Sequence, residues 1–280
     1  MPTGNGLASH RSKASSQDVV TISERLVNAR QAAMSLPEFP GELPSDTKTA
    51  YAIQGHSISS WPDEVVGWKV GGIAPLFLKL FGAARLAGPV FRSQTLTASN
   101  NGTITADVFE DGFAAVEAEF ILRTSVPIRP GDRKKNSQQL RDCIASVHIG
   151  AEIASSPMAN INEFGPGAII SDFGNNQGLI IGPEIASWRE HAKDDIEISV
   201  AINGTQAGAI RTNIEGDAFN AFEFLIELSR SRGIELPAGT LVTCGALSGI
   251  HEMKPGDRSC LVFEQLGTLN VEFAKVRPTV

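Results

Sequence analysis

The chain has few cysteines and no arrangement that would pair them. Cys143, Cys244 and Cys260 form no Cys-x-x-Cys unit. A sparse, odd count argues against a disulfide scaffold and fits a reducing cytoplasm. Long apolar runs are also missing: no stretch approaches the roughly 20 apolar residues of a membrane span. No basic segment leads into an apolar one, as a secretory signal would require. Long basic runs are absent too, and the formal net charge is -7, so nucleic acid is not the expected partner. A small anionic substrate stays open, because one local Lys or Arg can overrule the global sign. No internal repeat, phosphate-binding glycine loop or His-Glu-x-x-His zinc motif is present.

The sequence has 280 residues with 42% hydrophobic and 20% charged content, enough for one large or two small soluble domains. Residues 1–17 are polar and expected to fray. Residues 18–64 read as a helical N-terminal region, with helices expected over 22–36 and 47–57. Thr21 and Glu24 have capping-box spacing for the first, and Pro37 ends its pattern. From residue 65 to 280 the character is β-rich. Short apolar runs at 65–70, 89–91, 113–122, 178–182, 196–203, 241–244, 258–263 and 269–274 alternate with Gly, Pro and Asn. Asn203–Gly204 reads as a hairpin turn. Helices are expected at 76–81, 138–144 and 216–231, the last from the spacing of Phe219, Phe222, Leu225 and Ile226. Regular strand–helix alternation is lacking, so the expected class is α+β with a mixed-sheet core.

Within this frame three carboxylates call for explanation. Glu117 and Glu119 lie in GFAAVEAEFIL, and Glu152 in HIGAEIAS. In a strand, residues i and i+2 share a face. Glu117 and Glu119 would point the same way from a core-like segment, with Val116, Ala118, Phe120 and Leu122 on the other face. Buried like charges repel, and a hard divalent cation is the simplest remedy; a solvent-facing pair on an edge strand is the alternative. Lys69 follows Trp68 in a glycine-rich apolar block, where it either extends to solvent or faces a substrate carbonyl or carboxylate. There it would stabilise developing charge, or move a proton if burial lowers its pKa. Asp172 either caps a turn or orients Lys69 and moves protons. Thr243, Gly245 and Ser248 belong to VTCGALSG; this is either a tight strand-to-turn transition or a cradle for a carboxylate. His148, His251, Gln54, Arg85 and Arg92 carry weaker signals, structural by default.

In order along the chain, TKTAYAIQ, VGWKVGG, VEAEF, GAEIAS, ISDFGNNQGLIIG, GALSG and KPGD resemble the 2-keto-4-pentenoate hydratase and oxalocrotonate decarboxylase branch of the fumarylacetoacetate-hydrolase-like superfamily. The resemblance covers most of the chain. It implies a fumarylacetoacetate-hydrolase-like fold, with Glu117, Glu119 and Glu152 as ligands to Mg²⁺ or Mn²⁺ and with Lys69 and Asp172 as catalytic residues. Gly71, Thr243, Gly245 and Ser248 would bind substrate. The implied reaction adds water to a 2-hydroxypenta-2,4-dienoate-like 2-keto acid to give a 4-hydroxy-2-keto acid. Decarboxylation of an oxalocrotonate-type diacid, hydrolysis of a diketo acid, and a non-catalytic partner subunit are the alternatives. Homo-oligomers and association with a pathway enzyme are also implied. Two departures stand out: Phe173 occupies a position where the family often has Asn, and Gly71–Pro75 replaces a Leu-Thr-Ser-like stretch bordering the substrate.

Overall fold

Two polar side chains open the first helix. The Ser15 hydroxyl accepts from the Asp18 amide and the Asp18 carboxylate accepts from the Ser15 amide, a capping box that starts α1 at Ser16–Gln31. The helix therefore begins before the expected Thr21 cap, and it ends before Ala33, which takes a left-handed φ of 51°. The computed structural model describes residues 15–279; the expectation of a frayed N-terminus falls mainly on residues outside that range. Asp46 caps α2, Thr47–Ser60, by accepting from the Thr49 amide.

Beyond α2 the chain is mostly strand. It runs β1 (Val65–Gly72), α3 (Leu78–Phe81), β2 (Arg85–Phe91), β3 (Thr95–Thr97), β4 (Thr103–Val108) and β5 (Phe113–Thr124). Then come α4 (Ser137–Asp142), β6 (Ile144–Ser156), α5 (Ile161–Phe164), α6 (Pro166–Ser171), β7 (Asn176–Glu184) and α7 (Trp188–His191). The last part contains β8 (Ile196–Ile202), β9 (Thr205–Thr212), α8 (Ile214–Arg232), β10 (Leu241–Thr243), β11 (His251–Glu252), β12 (Arg258–Phe263) and β13 (Gly267–Lys275). The β8–β9 hairpin turns at Asn203 and Gly204, both left-handed, as a tight primed turn requires.

The strands form two sheets, in the orders β2-β1-β10-β5-β6-β7-β3, with β11 also on β5, and β4-β13-β12-β8-β9. Val90 of β2, Ile121 of β5, Leu179 and Ile181 of β7 and Leu241 of β10 pack into one apolar cluster. Since β2 and β7 lie far apart in the strand order, the larger sheet must roll so that these side chains meet inside it. Its outer face carries Val116, Ala118, Phe120 and Leu122 of β5. These pack with Leu261, Phe263 and Val271 of the second sheet and Phe222 and Leu225 of α8 in the main core. The architecture is α+β with a mixed β-rich core, as the sequence pattern implies. β6, the strand bearing Glu152, was not among the expected strands. Among the described residues, no helix is long and apolar enough to cross a membrane.

Candidate metal centre

Strand alternation decides where the carboxylates go. The β5 side chains that alternate with the core-facing set are Ala115, Glu117, Glu119 and Ile121, and they point inside the rolled sheet. Antiparallel pairing sets Glu117 opposite Glu152 and Glu119 opposite Gly150. Gly150 has a steric reason to be glycine: an added Cβ would lie 2.1 Å from Ile121 Cδ1 and 2.8 Å from the Ile180 carbonyl oxygen. Each of the three glutamates can offer a carboxylate oxygen to one cluster, these oxygens lying within 4.8 Å of one another. Glu119 and Glu152 are fully buried.

The surrounding hydrogen bonds orient this group and leave part of it unmet. Glu119 Oε2 accepts from the backbone amides of Cys244 (2.9 Å) and Gly245 (3.0 Å). Glu152 Oε1 accepts from Asn176 Nδ2 at 3.1 Å and lies 3.2 Å from Lys69 Nζ. Glu119 Oε1 and Glu152 Oε2 have no partner among the described residues. Three carboxylates against one ammonium leave two formal negative charges uncompensated when all are ionised. Burial, then repulsion from Glu152, pushes the Glu117 carboxyl up to about 8, against the opposing pull of Lys69. Burial, then Glu152 and Glu117, drives Glu119 well above the usual carboxylate range. Orphaned buried oxygens and excess negative charge are what a hard dication with oxygen ligands would satisfy. The residues present therefore fit a divalent cation.

Lys69 is buried beside the triad. Burial alone would lower its pKa, but Glu152, Glu117 and Glu119 together outweigh it and hold the net shift upward. Lys69 is therefore an ammonium in the metal-free protein, not the free amine that desolvation alone would give. It also lines a cleft of about 300 Å³ together with Glu117, Gly71, Gly174 and Asn175. Ile73, Phe77, Leu86 and Ile169 supply the apolar wall, and among the described lining residues Lys69 is the only basic one. Larger hollows, such as one of about 490 Å³ by Glu64, Arg92 and Arg123, lack the clustered carboxylates.

The other expected site residues divide. Gly71 borders the cleft, and its Cα carries no atom that would crowd the Lys69 ammonium: a Cβ there would sit 3.3 Å from Nζ. Gly245 donates to Glu119. The Thr243 hydroxyl accepts from the Val70 amide at 3.3 Å and is among the groups that pull the Glu119 carboxyl down against burial. These two residues support a glutamate; they do not line the cleft. Ser248 is bonded to His251 at 3.1 Å. Asp172 is not beside Lys69 in any hydrogen bond or ion pair among the described residues. Its carboxylate takes Arg30 Nε at 2.5 Å and Nη2 at 2.9 Å, and the Ser156 hydroxyl at 2.6 Å. Burial, then Glu119, pushes the Cys244 thiol well above its ordinary value, against thiolate formation. His148 is tied to Ser146 and the Gly182 carbonyl. Gln54 is fully buried, donating to the Ala87 and Ile170 carbonyls.

Sequence reasoning missed Arg30. This α1 residue is 4% exposed. Besides Asp172 it donates to the carbonyls of Ser155 and Asn176 and to Gln177 Oε1. It so clamps the 172–177 segment that delivers Asn176 to Glu152. The only available signal was a basic residue late in an apolar helix face, which usually means a solvated or snorkelling side chain.

A model of the fumarylacetoacetate (FAA) hydrolase C-terminal family matches residues 92–274. No curated protein matches the chain. Among solved structures, 4-oxalocrotonate decarboxylase from Pseudomonas putida G7, complexed with magnesium and adipate, is similar at a TM-score of 0.77 and 19% identity, over 93% of this chain and 99% of that one. Fumarylpyruvate hydrolase from Pseudomonas aeruginosa, in complex with Mn²⁺ and pyruvate, is similar at 0.56 and 16%, over 77% and 91%. 5-Carboxymethyl-2-hydroxymuconate delta-isomerase from Mycobacterium smegmatis follows at 0.52 and 15%, over 76% and 81%. At such identities these likenesses speak to fold alone. The family match spans well over half of the sequence, and so the chain belongs to the fumarylacetoacetate hydrolase C-terminal family.

Proposed function

We propose that this protein is a divalent-metal-dependent hydratase of a short, apolar-tailed 2-keto acid. Glu117, Glu119 and Glu152 would hold Mg²⁺ or Mn²⁺, the ions named in two of the similar structures. A bound dication supplies Lewis acidity toward the 2-keto oxygen. Lys69, 3.2 Å from Glu152, would meet negative charge developing at that oxygen and relay a proton there. On 2-hydroxypenta-2,4-dienoate, a proton enters at C5 as the enol becomes a ketone. Water then adds its hydroxyl to C4 and its proton to C3, giving 4-hydroxy-2-oxopentanoate. Asp172 acts here through Arg30 and the 172–177 segment, not as a proton carrier at Lys69.

The observation that carries this reading is the asymmetry of the cleft. One end is charged; the rest is walled by Ile73, Phe77, Leu86 and Ile169 and, among the described lining residues, has no second cation. Arg92 pairs with Glu64, and neither Arg92 nor Arg85, which donates to the Cys244 carbonyl, is among the described residues lining the cleft. Burying an unpaired carboxylate against such a wall is costly. The runner-up, decarboxylation of an oxalocrotonate-type diacid, is favoured by the likeness to a decarboxylase complexed with the diacid adipate. A UV-monitored assay with Mg²⁺, Mn²⁺ or EDTA separates the two. Metal-dependent formation of 4-hydroxy-2-oxopentanoate is expected; release of CO₂ from the diacid with no hydration would transfer the assignment. We further propose a homo-oligomer, consistent with Leu76 and Leu80 being 76% and 54% exposed on the segment that carries Phe77, to be read by sedimentation.

A further inference from the structure

We infer that Asn175 recognises the hydroxyl that hydration places on the substrate tail, an inference that rests on the keto-acid reading above. Asn175 is 5% exposed and lines the cleft. Its side-chain Oδ1 is buried without a hydrogen-bond partner among the described residues. A carboxamide can accept or donate, and leaving one buried and unmet costs stability.

The backbone adds a second cost. Phe173, Gly174 and Asn175 have φ of 54°, 70° and 64°, three successive left-handed residues of which only the middle one is glycine. Such strain persists where the surroundings over-determine it, and it gathers at ligand sites. Here Arg30 over-determines it, fixing Asp172 on one side of the turn and Asn176 on the other. The turn thus places at the cleft wall a carboxamide whose oxygen meets no partner among the described residues.

Cleft chemistry indicates which ligand atom it meets. The charged end, Lys69 and Glu117, suits the carboxylate and keto group. The remaining wall is apolar, and among the described lining residues Asn175 is the one buried uncharged side chain with hydrogen-bonding capacity; Asn162 is exposed. The tail of a 2-hydroxydienoate is pure hydrocarbon until water adds. Afterwards it carries a single hydroxyl, which both donates and accepts.

The test compares two stable probes on the Mg²⁺-loaded protein by calorimetry: 4-hydroxy-2-oxopentanoate, and 2-oxopentanoate, which lacks only the hydroxyl. Wild type is expected to prefer the hydroxylated acid by about tenfold, the scale of one net hydrogen bond. Asn175→Gly accepts the left-handed backbone while deleting the amide. It should bring that ratio to about one, with 2-oxopentanoate and Mg²⁺ affinities within about twofold of wild type. An unchanged ratio in the variant overturns the inference alone. Equal loss of both acids, or weakened Mg²⁺ binding, also overturns it, by assigning Asn175 to the ligand head or the metal. Failure of wild type to bind either acid overturns the keto-acid reading and this inference with it.

Discussion

Glu117 is the residue whose proton the rest of the centre decides. Its carboxyl titrates near 4.5 when unperturbed and near 8 in the metal-free fold, because of burial and then Glu152. Between those values the folded state keeps a proton that the unfolded state has released. Stability therefore falls as pH rises through that window. Melting of the metal-free protein is expected to drop in temperature from about pH 5 to about pH 8. Excess Mg²⁺ should flatten the slope, because the cation competes with the proton for the same oxygens. Scanning calorimetry with and without Mg²⁺ checks this; a metal-free melting temperature that climbs across the window would contradict it. At this scale the sequence was informative: the i, i+2 spacing of Glu117 and Glu119 sufficed to bring two carboxylates to one face, and Lys69 stood out in its apolar block. Arg30 was not legible, since its partner Asp172 is 142 residues away and nothing local distinguishes it from a surface arginine.

At the scale of elements, β5 was legible and β6 was not. The outer face of β5 reads Val116, Ala118, Phe120, Leu122, an apolar alternation that signals a strand. β6 has a similar core-face alternation, Val147, Ile149, Ala151 and Ile153, but its other face offers Gly150, Glu152 and Ala154, and an interior glycine weakens the strand signal. The 172–177 turn depends on a similar fit. A Cβ on Gly88 of β2 would lie 2.0 Å from the Phe173 carbonyl oxygen and 2.8 Å from Gly174 Cα. Both are backbone atoms, so no side chain can rotate away. Gly88→Ala should destabilise the fold by about 1–3 kcal/mol, the usual cost of overpacking. It should also weaken Mg²⁺ binding, because the displaced turn carries Asn176 away from Glu152. Urea unfolding and a Mg²⁺ titration test the two effects; a variant unchanged in both would show that the turn and β2 do not constrain each other.

For the whole molecule, the sequence suggested a helical N-terminal region set apart from a β-rich domain, and long-range contacts bear on that division. Strand order is invisible in the sequence because partners are remote: Val70 of β1 hydrogen-bonds Thr243 of β10 across 173 positions. The same holds for α1, whose Arg30 enters the interior of the β-rich part and is held there by Asp172, Ser155 and Asn176. A helix that supplies the counter-ion of a buried carboxylate should not unfold alone, for its departure would strand Asp172 without a charge partner. One calorimetric transition is therefore expected for the entire chain. Arg30→Ala leaves Asp172 buried and uncompensated, at a cost of about 3–5 kcal/mol. That is a large share of the roughly 5–15 kcal/mol available to a native protein. The variant should lower the single transition without splitting it, and it should lose Mg²⁺ affinity as Asn176 is released. Two resolved transitions, with Mg²⁺ raising only the upper one, would instead make residues 18–64 a separable cap and confine the metal centre's support to the β-rich part.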